Sequence, residues 1–238
     1  MSQLDILHNF KSENYDLRKK RVEFVILHYT ETKNLSDAIK LLTDSKRKVS
    51  SHFVIDKNGD IYNLVCETKR AWHAGVSCWD EKKDINSRSI GIEIVNSGEN
   101  TSQIYPTDQI NSLIVLIKYL KKKFSVSLFN ILGHSDIAPL RKIDPGKFFP
   151  WEKLGEKKAG LWIKNKLSYT VLNTKQYNKL LNNLRKIGYP HLDNLFDDEK
   201  NQKVVEAFHR RFSPKLVGKE PTITTLKNSD DLLKFKNA

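Results

Sequence analysis

Two histidines of this 238-residue sequence lie where short apolar segments end, and an aspartate follows the second of them. His28 follows the run FVIL, and His134 closes LFNILGH. Asp144 comes ten residues after His134, beyond a loop that contains a proline. Such apolar runs predict buried strands, and functional groups commonly lie where strands run into loops. Two imidazoles and one carboxylate leave a fourth tetrahedral position for water, which is what a catalytic zinc site requires.

Two further charged residues accompany these candidates. In SIGIEIVN, strand alternation places three isoleucines on one face and Glu93 on the other. A carboxylate inside so apolar a strand is hydrated, paired in a buried ion pair, or functional as a general base for a zinc-bound water. Lys142 lies two residues before Asp144. It is either a solvated lysine of a basic protein or a cation that stabilises an oxyanion.

The elements that would position these residues alternate between strands and helices. Strands are predicted for RVEFVILHY, SIGIEIVN and LFNILGH, and Asn58-Gly59 predicts the turn of a hairpin. Asn34 or Ser36 can cap a first helix, and Thr107 opens a long amphipathic helix that reaches about Lys123. The pattern predicts an α/β fold with a mixed central β-sheet flanked by helices.

After about Ser168 the alternation of strand and helix patterns ends, and only helical patterns follow. Helical spacing predicts one helix over 174–187, ended by Gly188, and a second over 201–212. Ser229 can cap a short third helix. We therefore expect two domains, a catalytic domain over 1–168 and a small three-helix domain over 169–238.

The chain carries a net charge of +13, from 41 basic and 28 acidic residues. This excess favours a polyanionic partner, which could be nucleic acid, an anionic membrane surface or an acidic wall polymer. We find no nucleic-acid motif with interleaved aromatic residues, and the apolar runs are too short to span a bilayer. The first twenty residues lack a basic start followed by an apolar region, so a cytoplasmic location is expected, with the periplasm as the alternative.

Five ordered segments resemble the type 2 N-acetylmuramoyl-L-alanine amidases, the AmpD- and AmiD-like zinc enzymes of bacteria. They are FVILHYTET, VSSHFVIDKNGDIYNLV, RAWHAGVS, NSRSIGIEIVN and GHSDIAPLRKIDPG, and they cover roughly residues 12 to 165. The resemblance implies one zinc ion held by His28, His134 and Asp144, with Glu93 as the catalytic base and Lys142 assisting.

The resemblance also implies a reaction and a substrate. The amide between the lactyl group of N-acetylmuramic acid and the L-alanine of the stem peptide would be cut, in cell-wall turnover or muropeptide recycling. Trp72, His73 and Asn86 would line the substrate cleft. The segment after Ser168 resembles a divergent three-helix peptidoglycan-binding domain, or is a helical appendage without a ligand. We expect a monomer that binds peptidoglycan or muropeptide fragments and no nucleic acid.

Three other functions are compatible with parts of the sequence. A non-catalytic peptidoglycan sensor could share the fold, although the candidate ligands and the glutamate are all present. A basic nucleic-acid-binding protein rests on charge alone. A glycan-cutting enzyme of the lysozyme type would need paired carboxylates, for which Asp136 and Asp144 are candidates.

Overall fold

The computed structural model describes residues 4–192 and 198–237 and is built around a five-stranded mixed sheet. The strands are β1 Tyr15–Leu17, β2 Phe24–Tyr29, β3 Phe53–Ile55, β4 Ile61–Asn63, β5 Lys69–Ala71, β6 Ser89–Ile94 and β7 Ile131–Gly133. The central sheet has the order β4–β3–β6–β2–β7, in which β3, β6, β2 and β7 are parallel and β4 is antiparallel to β3. The antiparallel pair β1–β5 forms a separate small sheet.

Helices flank this sheet, so the predicted α/β class is confirmed. They are α1 Leu35–Thr43, α2 Ile85–Arg88, α3 Thr107–Phe124, α4 His134–Ile137, α5 Trp151–Glu156, α6 Thr174–Ile187, α7 Asp198–Phe212 and α8 Ile223–Asn237. Asn34 caps α1, since its side chain accepts a hydrogen bond of 2.9 Å from the Asp37 amide. Gly188 ends α6 with a φ of 129°, a conformation that favours glycine.

Two predicted elements differ from the structure. In LFNILGH only Ile131–Gly133 is a strand, and residues 128–130 form a 3-10 turn, so the pairing of β7 with β2 begins at Ile131 opposite Val25. The prediction that Ser229 caps the third C-terminal helix is wrong, since α8 begins at Ile223. Ser229 is buried within that helix and donates its hydroxyl proton to the Leu226 carbonyl at 2.7 Å.

Strand β2 shows how the two faces of the sheet are used. Val25 and Leu27 point into a hydrophobic cluster that includes the buried face of α3. Phe24 and Ile26 point to the opposite side, into a second cluster. His28 continues this second face by strand alternation, at the end of the strand.

The C-terminal helices cover part of that second face. Leu181 of α6 and Phe208 of α7 belong to the same cluster as Phe24 and Ile26. The helices α6 and α8 also pack on each other. The division into domains at 168/169 stays a prediction.

Candidate metal centre

His28, His134 and Asp144 come together at one edge of the central sheet. Because β2 and β7 are parallel neighbours, the end of β2, which carries His28, and the residue after β7, which is His134, lie at the same edge. Asp144 returns to this edge from the loop that follows α4. Gly133 allows the return, since a Cβ at this position would lie only 2.8 Å from the proline ring that follows Asp144.

The three side chains converge on one point. Nδ1 of His28 lies 3.0 Å from Nδ1 of His134, and Oδ2 of Asp144 lies 2.9 Å and 3.0 Å from these two nitrogens. All three residues are buried. Three atoms about 3 Å apart can each lie about 2 Å from a single ion, which is the Zn–N and Zn–O distance of protein zinc sites. The group therefore fits a metal ion.

The protonation of the group also suits a cation. Nε2 of His134 lies 3.1 Å from the Ala74 carbonyl, to which it donates its proton, so Nδ1 is left bare. Burial, together with the neighbouring His134, lowers the pKa of His28 to about 4. Neutral imidazoles and an ionised carboxylate are the forms that bind metal.

Glu93 lies directly beside these ligands. In the register of β6 on β2 it pairs with His28. None of the described residues hydrogen-bonds its buried Oε2 atom. Burial raises the pKa of Glu93 well above the ordinary value, Asp144 raises it further, and Lys142 opposes the shift. A carboxyl with a raised pKa beside a metal centre is suited to general-base chemistry.

A cleft of about 370 Å³ opens over this group. Glu93 and Lys142 line it together with the three candidate ligands. A second cavity of about 450 Å³ adjoins it, because the two share part of their walls, including Trp72 and Lys142. The three candidate ligands thus line an accessible cleft.

The three predicted substrate-binding residues have different surroundings. Trp72 is half-buried in the cleft wall, and its indole N–H donates to Oδ2 of Asp16 at 3.3 Å. Oδ1 of Asn86 accepts from the backbone amides of His73 and Ala74, at 3.1 Å and 2.7 Å. Both ring nitrogens of His73 contact buried side chains, Nδ1 that of His28 and Nε2 that of Ser89. Asn86 therefore shapes the cleft wall through its carbonyl oxygen, whereas Trp72 lines the cleft directly.

Arg141 is a cleft residue that the sequence did not single out. Its guanidinium donates to the carbonyls of Ala74 and Val76, and so holds the loop that follows Trp72 and His73 over the metal group. Gly75 in this loop has a φ of 57°, and a Cβ there would lie 2.9 Å from Nη2 of Arg141. The signal in the sequence was the glycine of AWHAG together with an arginine adjacent to Lys142.

Asp136 has a different place from the one a paired-carboxylate enzyme needs. Its carboxylate accepts hydrogen bonds from Tyr189 at 2.7 Å and from the Gly133 amide at 2.8 Å, and it forms an ion pair with Arg211 at 2.8 Å. It is fully buried. These partners occupy both oxygens of Asp136, so it does not form a second acid in the cleft with Asp144.

Among the described residues, no helix has the length and apolar character to cross a membrane.

Comparison with known proteins agrees with this site. A sequence profile of the N-acetylmuramoyl-L-alanine amidase family, Amidase_2, matches residues 18–147. The N-acetylmuramoyl-L-alanine amidase AmiD of Escherichia coli K12 is 32% identical over an alignment of 235 positions, which covers 90% of this chain and 83% of AmiD.

Solved structures extend the similarity to most of the chain. The complex of Escherichia coli AmiD with the substrate anhydro-N-acetylmuramic acid-L-Ala-D-gamma-Glu-L-Lys matches with a TM-score of 0.81 and 29% identity, covering 91% of this chain and 90% of that chain. AmpDh3 from Pseudomonas aeruginosa, in complex with anhydromuramic pentapeptide, matches with a TM-score of 0.78 and 29% identity over 99% of both chains. Since the matched profile spans all three candidate ligands and the similarity to AmiD spans most of the sequence, the chain belongs to the N-acetylmuramoyl-L-alanine amidase family of hydrolases.

Proposed function

We propose that this amidase-family chain holds one zinc ion with His28, His134 and Asp144 and hydrolyses the amide between the lactyl group of N-acetylmuramic acid and the L-alanine of muropeptides. One observation carries the proposal. Two imidazole nitrogens and one carboxylate oxygen converge within 3.0 Å of one another, beside a Glu93 oxygen that none of the described residues hydrogen-bonds. Two nitrogens and one oxygen are a donor set that suits zinc and leaves room for water or substrate. When bound, the ion would act as a Lewis acid that polarises the lactyl carbonyl and lowers the pKa of water.

Glu93 is the proposed general base. A raised pKa makes the carboxylate a stronger base toward water and lets it hold the accepted proton during the reaction. The water oxygen bonds to the lactyl carbonyl carbon as this proton moves to Glu93. The carbon–nitrogen bond then breaks, and Glu93 passes the proton to the departing amine of L-alanine.

Lys142 is the proposed electrostatic partner of this reaction. It lines the same cleft as Glu93, and its charge is close enough to oppose the upward shift of the Glu93 pKa. Negative charge develops on the lactyl oxygen as water attacks. A fixed ammonium group beside that oxygen stabilises the charge, more strongly in a cleft than in bulk water.

The substrate is proposed to be a muropeptide fragment of bacterial cell-wall turnover or recycling. The AmiD and AmpDh3 structures carry anhydromuramyl peptides, which supports this class of ligand. We keep Trp72, His73 and Asn86 as the proposed substrate-binding residues, because all three line the second cavity beside the metal group. That the protein is monomeric and binds no nucleic acid stays a prediction.

The C-terminal segment, residues 169–238, is proposed to be a peptidoglycan-binding-like unit. A groove of about 630 Å³ supports this proposal, since it lies between the start of α6, the helix α7 and the turn at Gly218. Tyr177 contributes an aromatic ring to it, of the kind that stacks on sugar rings, and Pro221 contributes apolar surface. A wall-binding unit would favour action on insoluble sacculi over soluble muropeptides. The rates of cleavage of these two substrates are therefore to be compared.

Digestion of purified muropeptides and of intact sacculi, followed by mass spectrometry, tests the proposed function. We expect free stem peptides that begin with L-alanine, with the sugar chain intact. A chelator should abolish their release, and added zinc should restore it. His134→Ala should lose activity, whereas His8→Ala, which changes an exposed histidine that does not line the cleft, should keep it.

Two results would contradict the proposal. Cleaved glycan with an intact lactyl–alanine bond would indicate a different hydrolase. Muropeptide that binds but stays intact with zinc present would indicate a sensor on the amidase fold.

A further inference from the structure

A chain of hydrogen bonds lies behind His28, on the side away from the proposed metal. Oγ of Ser89 lies 2.7 Å from the Ile85 carbonyl and 3.1 Å from Nε2 of His73. Nδ1 of His73 lies 3.0 Å from Nε2 of His28. All of these side chains are buried, so water does not compete for their protons.

The donor and the acceptor of each hydrogen bond can be assigned in turn, starting from the Ile85 carbonyl. A carbonyl oxygen cannot donate, so the contact with Ile85 uses the single hydroxyl proton of Ser89. Ser89 must then accept at its other contact, and Nε2 of His73 carries the proton. In a neutral imidazole Nδ1 of His73 is therefore bare, and it accepts the Nε2 proton of His28. This leaves Nδ1 of His28 bare, which is the atom that faces His134 and Asp144.

We propose that Ser89 and His73 are positioning residues that favour the His28 tautomer whose Nδ1 lone pair faces the metal position. They thereby oppose the Asp144 carboxylate, whose Oδ2 lies 2.9 Å from this nitrogen and would favour a proton on it. The inference deepens the proposed function and rests on the metal centre described there. His134 reaches the same state differently, because its Nε2 donates directly to the Ala74 backbone carbonyl. The two ligand imidazoles are thus oriented by a backbone acceptor in one case and by a side-chain relay in the other.

The surroundings of His73 hold the relay in place. Gly91 lies against its ring, and a Cβ at that position would lie 2.5 Å from Cγ of His73. The His73 backbone amide donates to Asn86 at 3.1 Å. The absence of a side chain at Gly91 therefore makes the space that the ring occupies, on the same face of β6 as Glu93.

Matched variants separate the relay from simple packing. His73→Asn keeps an oxygen acceptor near the position of Nδ1, whereas His73→Leu removes the acceptor at similar size. Ser89→Ala removes the hydroxyl that starts the relay. Ser87→Ala removes another buried hydroxyl, which lies outside the relay and serves as the control.

The first measurement is the tautomer of His28 in the full-length, metal-free protein, read from imidazole ¹⁵N shifts in long-range ¹H–¹⁵N spectra. We expect the proton on Nε2 in the wild type, His73→Asn and Ser87→Ala, and a shift of population to Nδ1 in His73→Leu and Ser89→Ala. The second measurement is zinc affinity in competition with a chromogenic chelator. His73→Leu and Ser89→Ala should lose about 10- to 100-fold, as is usual when the partner of a ligand histidine is removed.

Several outcomes would overturn the relay. A His28 proton on Nδ1 in the wild type would refute it, and so would unchanged zinc affinity in His73→Leu. Equal losses in Asn and Leu variants at position 73 would show that packing, and not the acceptor, matters. The tautomer is measured without metal, so its result stands even if the wild-type chain bound no zinc, an outcome that would instead refute the proposed function.

Discussion

Asp136 and Asp144 are eight residues apart in the segment GHSDIAPLRKIDPG, and both are buried, yet their surroundings are opposite in kind. Asp136 faces proton donors, namely the Tyr189 hydroxyl, the Gly133 amide and the Arg211 guanidinium. Asp144 faces the Nδ1 atoms of two imidazoles, of which His134 at least presents a bare lone pair. The charge of Asp136 is balanced within the protein, whereas the lone pairs around Asp144 converge on a position that suits a cation.

This difference separates a structural junction from the proposed metal site. Arg211 also donates to the Ile131 carbonyl at 2.8 Å, and its guanidinium lies 4.5 Å from the centre of the Trp151 ring. Through these contacts Asp136 joins strand β7 to helix α7. A buried ion pair with complete hydrogen-bond partners connects parts of the fold. Removing one member lowers the free energy of unfolding, because the other charge is left buried and unpaired. Buried groups with incomplete partners, such as Glu93, are the ones available to a ligand.

The largest expected effect on the reactive side comes from Glu93→Gln. Turnover of muropeptide should fall by about 100- to 10,000-fold, since the amide cannot accept the proton of water. Zinc content should not change, because Glu93 is not one of the proposed ligands. Activity and bound zinc are measured together. Glu31→Gln, which changes an exposed carboxylate that lines the same cleft, is the control and should stay near wild type. Normal turnover by the Glu93 variant would remove it from the mechanism.

On the structural side, Arg211→Met should lower the free energy of unfolding by about 3–5 kcal/mol, because Asp136 keeps a buried charge without its partner. Urea denaturation measures the loss. Arg185→Met, at an exposed position of α6, should change stability by less than about 0.5 kcal/mol. We expect the folded Arg211 variant to bind zinc within a few-fold of wild type. A large loss of zinc affinity with little loss of stability would reverse the roles we assign to the two aspartates.

The smallest effect concerns the pH dependence of stability in the metal-free protein. The pKa of Glu93 is raised in the folded state above its ordinary value of 4.5. At pH values above 4.5 the folded protein therefore still holds a proton on Glu93 that the unfolded chain has released. Stability contributed by this group is therefore present at low pH and is lost as pH rises above about 4.5. Glu93→Gln should remove that loss, so its stability relative to wild type should increase by at most about 1.4 kcal/mol per pH unit above this point. Urea titrations across the range measure it, and a constant difference would contradict the raised pKa.

Local patterns in the sequence predict the elements that depend on local interactions. The cap at Asn34, the bounds of α6 and the glycine that ends it agree with the structure, because capping and helical spacing involve residues within a few positions of each other. The predicted cap at Ser229 is wrong for a tertiary reason. The segment before it, including the buried Thr225, packs as part of one continuous helix in spite of its β-branched and polar residues.

The motifs of the sequence by themselves determined which residues were candidates for the metal site, and strand alternation placed Glu93 apart from its apolar neighbours. They named Asp144 as a metal ligand and left Asp136 as one member of a possible pair of acids, without its surroundings. Only the tertiary structure showed that the charge of Asp136 is balanced, because its partners lie 53 and 75 positions away along the chain. The direction of the hydrogen bonds from Ser89 through His73 to His28 is likewise a tertiary property. Whether a buried group is balanced or left open depends on which distant donors and acceptors the fold brings to it, and short-range spacing does not contain that information.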